Sequence, residues 1–190
     1  MAITASASFN NKLTYTVTDT RTNFSTTDAD SQTITSSYTV GTGDKQINSA
    51  ASITGTLAVS GSKQFDLYNN GTGVFRVLFG VTGGVPMNTI KHLSVYNMMT
   101  TKGANLEIST TGANNLNGIM GTVAFPTGSQ VIRPYSSFAY NDPYDGVSVN
   151  DLTKSVTLND IAGSGSSFKM LILGVDLNQP TGTVGINPYG

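Results

Sequence analysis

His92 is the only histidine of the chain, and there is no cysteine. Disulfides, thiolate metal sites and clusters of histidine ligands are therefore excluded. A catalytic dyad or triad would have to use this one residue. Because Ile90, His92, Ser94 and Tyr96 would share one face of a strand, we interpret His92 as a packed or interface histidine. We predict that the chain is not an enzyme and needs no cofactor.

Carboxylates concentrate in one segment, residues 141–151, which contains Asp142, Asp145 and Asp151. Together with two asparagines they could supply the oxygen ligands that calcium prefers. Their spacing does not match an EF-hand loop, and Asp-Pro and Asp-Gly are ordinary turn dipeptides. A calcium site and a plain turn therefore both remain open, and a hydrolase that uses two carboxylates is a further alternative.

Aromatic residues cluster in the same part of the sequence. Tyr135, Tyr140 and Tyr144 follow Arg133, with prolines between them. Exposed tyrosines in loops can form a sugar-binding platform or anchor a protein interface. The alternative is that these side chains pack against the core.

Composition indicates what must position these residues. Charged residues make up 11% of the chain, against about 25% in an ordinary soluble domain. The most abundant replacements are Thr, Ser, Asn and Gly, which favour strands and tight turns. The net charge is −1 and the ten Lys and Arg residues are scattered, so we expect no nucleic-acid binding through a basic arm.

Short alternating segments separated by turn clusters predict roughly nine to eleven strands. Leu13, Tyr15 and Val17 alternate clearly, whereas the Thr- and Asp-rich residues 18–30 favour a loop. The segment 168–175 is the most apolar, which is typical of a central strand or of a strand covered by another subunit. No segment is long and apolar enough to span a bilayer.

These patterns predict an all-β antiparallel sandwich, with a single jelly roll as the expected topology. We divide the chain into an N-terminal arm (residues 1–12), a β-sandwich domain (13–176) and an extended C-terminal tail (177–190). The expected interface residues are Phe168, Met170, Ile172 and Tyr189.

Several segments in order carry a resemblance to a known class of proteins. They are residues 40–47 (VGTGDKQI), 55–67 (GTLAVSGSKQFDL), 90–97 (IKHLSVYN), 126–130 (PTGSQ) and the apolar strand that ends in Ile172-Leu-Gly174. In their general residue pattern and their order, these segments resemble small bacteriophage virion proteins, namely jelly-roll capsid or decoration subunits. The resemblance implies no catalytic residues.

Two functions are therefore expected from the sequence. The first is a structural protein of a virus particle, a capsid coat or decoration subunit that forms homo-oligomers and contacts other virion proteins. The second is a carbohydrate-binding or adhesin-type β-sandwich module. The first residues do not have the pattern of a signal peptide, so we expect synthesis in a host cytoplasm and final residence in the virion.

Overall fold

A computed structural model of the protein describes residues 7–21, 24–68, 76–77, 87–110, 114, 116, 118–120 and 128–177; for residues 7–21, 24–34, 40 and 76–77 it describes the backbone alone. All regular structure in these residues is β, with no helix. The predicted all-β class is confirmed. In the same residues, no helix is long and apolar enough to cross a membrane.

Thirteen strands are formed by the described residues. They are β1 (Ala7–Arg21), β2 (Phe24–Val40), β3 (Gln46–Ile47), β4 (Ser49–Leu57), β5 (Ser62–Asp66), β6 (Arg76–Val77), β7 (Thr89–Asn97), β8 (Leu106–Ser109), β9 (Ser129–Ile132), β10 (Ser137–Asn141), β11 (Val147–Ser148), β12 (Ser155–Asp160) and β13 (Ser166–Val175).

Two antiparallel sheets pack face to face. The larger has the strand order β10-β7-β13-β4-β6, with β11 paired to β7, and the smaller has the order β5-β12-β8-β9. Phe65 of the small sheet meets Phe168 of the large sheet edge to face, with ring centroids 5.9 Å apart and planes at 78°. The architecture is therefore that of a β-sandwich, while the jelly-roll order stays a prediction.

The central strand of the large sheet is β13, which pairs with β4 on one side and β7 on the other. Its residues Phe168, Met170 and Ile172 are buried in the main core. These three predicted interface residues are thus already covered by the chain's own two sheets. Their apolar character is explained by a central position in the sandwich. Tyr189 lies outside the described residues.

The first two strands form a long hairpin, which we call the ribbon (residues 7–21 and 24–40). Its strands pair antiparallel from Ala7 opposite Tyr38 to Arg21 opposite Phe24. The prediction of a loop over residues 18–30 is wrong, since residues 18–21 and 24–30 lie in strands. The threonines that suggested a loop also favour extended backbone. With 15 residues in β1 and a rise of about 3.4 Å per residue, the paired region is about 50 Å long.

A second, smaller apolar cluster joins the base of the ribbon to the sandwich. It consists of Tyr38, Ile47, Ala50 and Leu173. Ala50 and Leu173 are partners in neighbouring strands of the large sheet, on the face that points away from the main core. Strand β3, which pairs in parallel with the end of β2, completes this junction.

The proposed division of the chain stays a prediction. Strand β1 runs across residues 12 and 13, where the boundary between arm and sandwich was placed. The C-terminal tail, residues 177–190, lies outside the described residues except for Leu177.

Candidate functional site

The site with the most specific polar geometry is the junction between the ribbon and the large sheet. Tyr38, near the end of β2, is buried, and its hydroxyl lies 2.5 Å from Oδ1 of Asn141 at the end of β10. The amide of Asn141 in turn donates to the hydroxyl of Ser36 at 2.7 Å. One asparagine side chain therefore binds two residues of the ribbon.

The same tyrosine hydroxyl also lies 3.3 Å from the carbonyl oxygen of Lys91. Lys91 occupies a β-bulge: Leu173 pairs with His92 and Gly174 pairs with Ile90, so Lys91 has no partner in β13. The bulge breaks the alternation expected for residues 90–96, and Ile90 joins the core with Leu93 and Val95. His92 remains on the opposite face, beneath the junction.

Ionisation at the junction is controlled by burial. Burial, with a smaller effect of the Asp142 charge, raises the pKa of Tyr38 to about 12. Burial lowers the pKa of His92 below its usual value, partly offset by a hydrogen bond with Asn141. At neutral pH the tyrosine is therefore a neutral donor and the imidazole is uncharged, as expected for His92 packed inside a protein.

The Asp142 loop wraps over the junction. The backbone N–H of Asp142 donates to the carbonyl of Lys91 at 2.9 Å, and the buried ammonium of Lys91 donates to the carbonyl of Tyr144. The Asp142 carboxylate accepts the N–H of Tyr144 at 3.0 Å. This is an Asx turn, in which the carboxylate stabilises its own loop.

The structure does not bring the three predicted calcium ligands into a metal site. No group of three or more His, Cys, Asp or Glu side chains among the described residues could hold a metal ion. Asp151 instead lies 3.7 Å from the ammonium of Lys154, and Asp142 serves the turn. The plain-turn alternative fits this geometry, and calcium binding by Asp142, Asp145 and Asp151 stays a prediction.

The three predicted ligand tyrosines do not form one platform. Tyr135 precedes β10 and Tyr144 follows it; their exposed fractions are 63% and 51%. Tyr140, inside the strand, is half-buried against the core, and burial together with Asp142 raises its pKa to about 12. Two separate exposed aromatic residues thus stand at opposite ends of one strand.

Tyr144 lines a small cavity between the ribbon base and the loop. The cavity has a volume of about 350 Å³ and is lined by Thr35, Ser36, Ser37, Lys45, Pro143 and Tyr144. The Lys45 ammonium lies 5.1 Å from the centre of the Tyr144 ring, within the range of a cation–π contact. The backbone N–H of Lys45 also donates to the carbonyl of Pro143 at 2.7 Å, so three segments meet here.

One buried carboxylate was not singled out by the sequence. Asp160, at the end of β12, is buried. Burial by itself would raise its pKa, but hydrogen bonds from the backbone of Ser60, the hydroxyl of Ser166 and the backbone of Gly165 and Ala162 lower it below the usual value. The donors lie in the turn at Ser60, in the loop after β12 and at the first residue of β13, so Asp160 holds these segments together at one end of the sandwich.

Comparison of the chain with protein-family models, with curated proteins and with solved structures returned no match. Function is therefore argued from the geometry of the chain itself. Sequence reasoning missed Tyr38 and the role of Asn141. The local sequence pattern does not indicate the hairpin register, which brings Tyr38 over the end of β10.

Proposed function

We propose that the chain is a structural subunit of a virus particle that acts without catalysis, by assembling with further copies of itself and with other virion proteins. The single observation that carries the proposal is the ribbon. It is a two-stranded extension about as long as a whole small domain, and in the described residues it pairs with no strand beyond itself except β3.

The pairing register divides the ribbon into two unlike faces. Opposite residues of an antiparallel pair share a face, so the alternate positions 9, 13, 15 and 17 lie on the same face as positions 24, 34 and 38. The apolar types on this face are Ala7, Phe9, Leu13, Tyr15, Val17, Phe24, Ile34, Tyr38 and Val40. The same face also carries Asp19, Arg21, Asp28 and Asp30, all in the half of the ribbon farther from its base. The other face carries Ser, Thr, Asn and Lys, with Ala29 as the one apolar type.

Such a ribbon needs a partner. An isolated two-stranded hairpin is marginally stable in water, and three strands or a packed apolar face are needed for independent stability. Among the residues with described side chains, the contacts that attach the ribbon come from its base, at Ser36 and Tyr38. A second copy of the chain can cover the remaining apolar positions with its own ribbon.

The low charge of the chain supports assembly independently. Charged residues are depleted at the centres of protein interfaces, and long strand edges with few charges pair readily with another chain. Strand β1 is an edge of its sheet, and the six residues between Lys12 and Asp19 carry no charge. The virion setting rests on the resemblance in segment order, which fits a shell subunit of this kind.

The proposal is tested by native mass, measured by light scattering on a sizing column. The variant Leu13→Lys places a charge on the apolar face, opposite Gln32, and the matched control Thr14→Lys places the same charge on the other face of the same strand, opposite Ser31. We expect the wild type and the control to be multimeric and the first variant to dissociate. Equal masses for all three would contradict a role of this face.

A carbohydrate-binding module is the second candidate, and the exposure of Tyr135 and Tyr144 favours it. Exposed aromatic side chains at strand ends are suited to stacking on sugar rings. This candidate predicts binding to a glycan array that is lost in Tyr135→Ala or Tyr144→Ala. A blank array with folded wild-type protein would remove it.

A further inference from the structure

A second cavity, at the other end of β10 from the ribbon junction, has the features of a ligand site. Its volume is about 440 Å³, and it is lined by Thr100, Lys102, Gly103, Asn105, Arg133 and Pro134. This volume falls in the range of small-molecule sites. Two of the lining residues are cations, and none of them carries a carboxylate.

The walls of this cavity are held in place by one buried asparagine. Asn97, which is fully buried, donates from its side-chain amide to the carbonyls of Ala104 and Ile132, both at 2.9 Å. Its Oδ1 accepts the N–H of Met99 at 3.0 Å. All three hydrogen bonds hold the two loops that form the walls, so the cavity is preorganised before any ligand arrives.

The backbone of Asn97 fixes the second wall as well. Its carbonyl accepts the N–H of Tyr135 at 3.1 Å, and its N–H donates to the carbonyl of Ser136 at 3.0 Å. Residues Arg133 to Ser136 form a four-residue turn closed by a 3.1 Å hydrogen bond from Ser136 to Arg133. Arg133 is therefore anchored at a defined position beside the cavity.

That turn contains an unfavourable residue choice. Pro134 is second in the turn, and Tyr135 is third with a φ of 57°. This is the pattern of a type II turn, in which Gly or Asn is preferred at the third position because other side chains are strained there. The strained residue is an aromatic with 63% of its surface exposed. Backbone strain clusters at functional positions, and among the described non-glycine residues with positive φ, which are Lys45, Ser60, Asn114 and Tyr135, only Tyr135 is aromatic.

We propose that this cavity binds a saccharide that carries carboxylate groups, such as a uronic-acid unit. The guanidinium of Arg133 and the ammonium of Lys102 bind the carboxylate, since a guanidinium matches a carboxylate in a bidentate geometry. The hydroxyl of Thr100 and the amide of Asn105 bind sugar hydroxyls. Tyr135 adds an aromatic surface next to the opening. This site is separate from the ribbon and does not depend on self-assembly; it rests on the second candidate function, carbohydrate binding, to which Tyr135 also belongs.

The lining favours a sugar over an acidic protein segment as the occupant, because none of its residues has a large apolar side chain. A peptide interface would place apolar side chains around the charged pair, whereas threonine, asparagine and glycine form the remainder of this lining apart from Pro134. An acidic peptide is nevertheless included in the test as a competing ligand.

The test is isothermal titration of the purified protein with a hexamer of galacturonic acid, a neutral maltose-series hexamer of equal length, and a hexapeptide of Asp and Glu. We expect saturable binding of the uronate and no binding of the neutral hexamer or the peptide. Arg133→Gln and Lys102→Gln should each weaken uronate binding about tenfold, whereas Lys169→Gln, a control at an exposed lysine of β13, should leave it unchanged.

The variant Tyr135→Gly distinguishes a loss of ligand affinity from a loss of folded protein. Glycine accepts the turn conformation, so this variant should fold at least as well as the wild type while losing most of the uronate affinity. Equal binding of the neutral hexamer or of the acidic peptide, the absence of uronate binding, or full affinity in Arg133→Gln would each overturn the proposal.

Discussion

The hydroxyl of Tyr38 lies 2.5 Å from Oδ1 of Asn141, and this contact fastens the ribbon to the large sheet. The two residues are 103 positions apart in the sequence. The ring of Tyr38 packs on Leu173 and Ala50, so the tyrosine acts both as an apolar anchor and as a hydrogen-bond donor. A ribbon attached in this way has a fixed base, and in the proposed assembly its apolar face would contact a neighbouring copy.

Removing the hydroxyl in Tyr38→Phe should therefore lower the free energy of unfolding by about 1–2 kcal/mol. The ring still fills its place, but the amide oxygen of Asn141 loses the hydroxyl of Tyr38 as a donor inside the protein. Urea denaturation followed by circular dichroism measures the change. Tyr96→Phe, on a more exposed tyrosine of β7, should change stability by less than about 0.5 kcal/mol, and an equal loss in both variants would contradict the anchor role.

Mild acid should weaken the same junction through His92. Because burial lowers its pKa in the folded state, the unfolded chain binds a proton first as the pH falls below about 6.5. The stabilisation is thus complete above that pH and is lost as the pH falls toward the folded-state pKa. Urea midpoints at pH 7.5 and pH 5.5 measure the loss.

The variant His92→Gln is the control for this pH effect. It has no titrating imidazole, and the charged or titratable neighbours Lys91, Tyr38 and Asp142 are retained. Its stability at pH 7.5 differs from that of the wild type, so the comparison concerns only the slope with pH. A slope unchanged from the wild type would assign the pH dependence to another group.

The core of the sandwich should depend strongly on Phe168. Its ring meets Phe65 across the sheets and lies against Gly55, where an added Cβ would be 2.9 Å from its Cζ atom. Phe168→Ala should cost about 3–5 kcal/mol of unfolding free energy, because it leaves a cavity in the core. Lys169→Ala, at the neighbouring exposed position, should cost less than about 0.5 kcal/mol; similar losses would show that β13 is not central.

The two long strands at the centre of the large sheet, β7 and β13, were predicted well from the amino-acid sequence. Strand β7 contains the residues 90–96 whose alternation predicted a strand, and the apolar segment 168–175 is the central strand. Strong alternation or a continuous apolar run leaves little choice of environment. Strand β10 was missed because Ser137 to Asn141 lies between turn residues and looks like part of a loop. The bulge at Lys91 was also missed, since alternation carries no sign of an inserted residue.

The candidate sites were harder to predict for a physical reason. Both depend on contacts between distant segments: Asn141 reaches the ribbon, and Asn97 ties the loop before Ala104 to the turn after Ile132. Asparagine is common in turns, so neither residue stood out in the sequence. The Asp142 segment did stand out, but its carboxylates serve a turn and an ion pair.

The turn at Tyr135 gives a prediction that concerns stability alone. Because the residue has a φ of 57°, Tyr135→Gly should raise the free energy of unfolding by about 0.5–1 kcal/mol. The relief of backbone strain stabilises the folded state, and the larger entropy of the unfolded chain with glycine offsets part of this gain. Thermal unfolding measures the gain. A clear loss of stability would show that the exposed ring makes contacts that outweigh the strain.

Self-assembly is tested most directly by the native mass of the wild-type protein. The monomer has a mass of 19.8 kDa, and light scattering on a sizing column at increasing concentration gives the mass of the species in solution. The account predicts a multimer of defined mass that dissociates when Leu13, which is paired with Gln32, is replaced by lysine. A monomer at every concentration would contradict the central claim that the ribbon assembles with copies of itself.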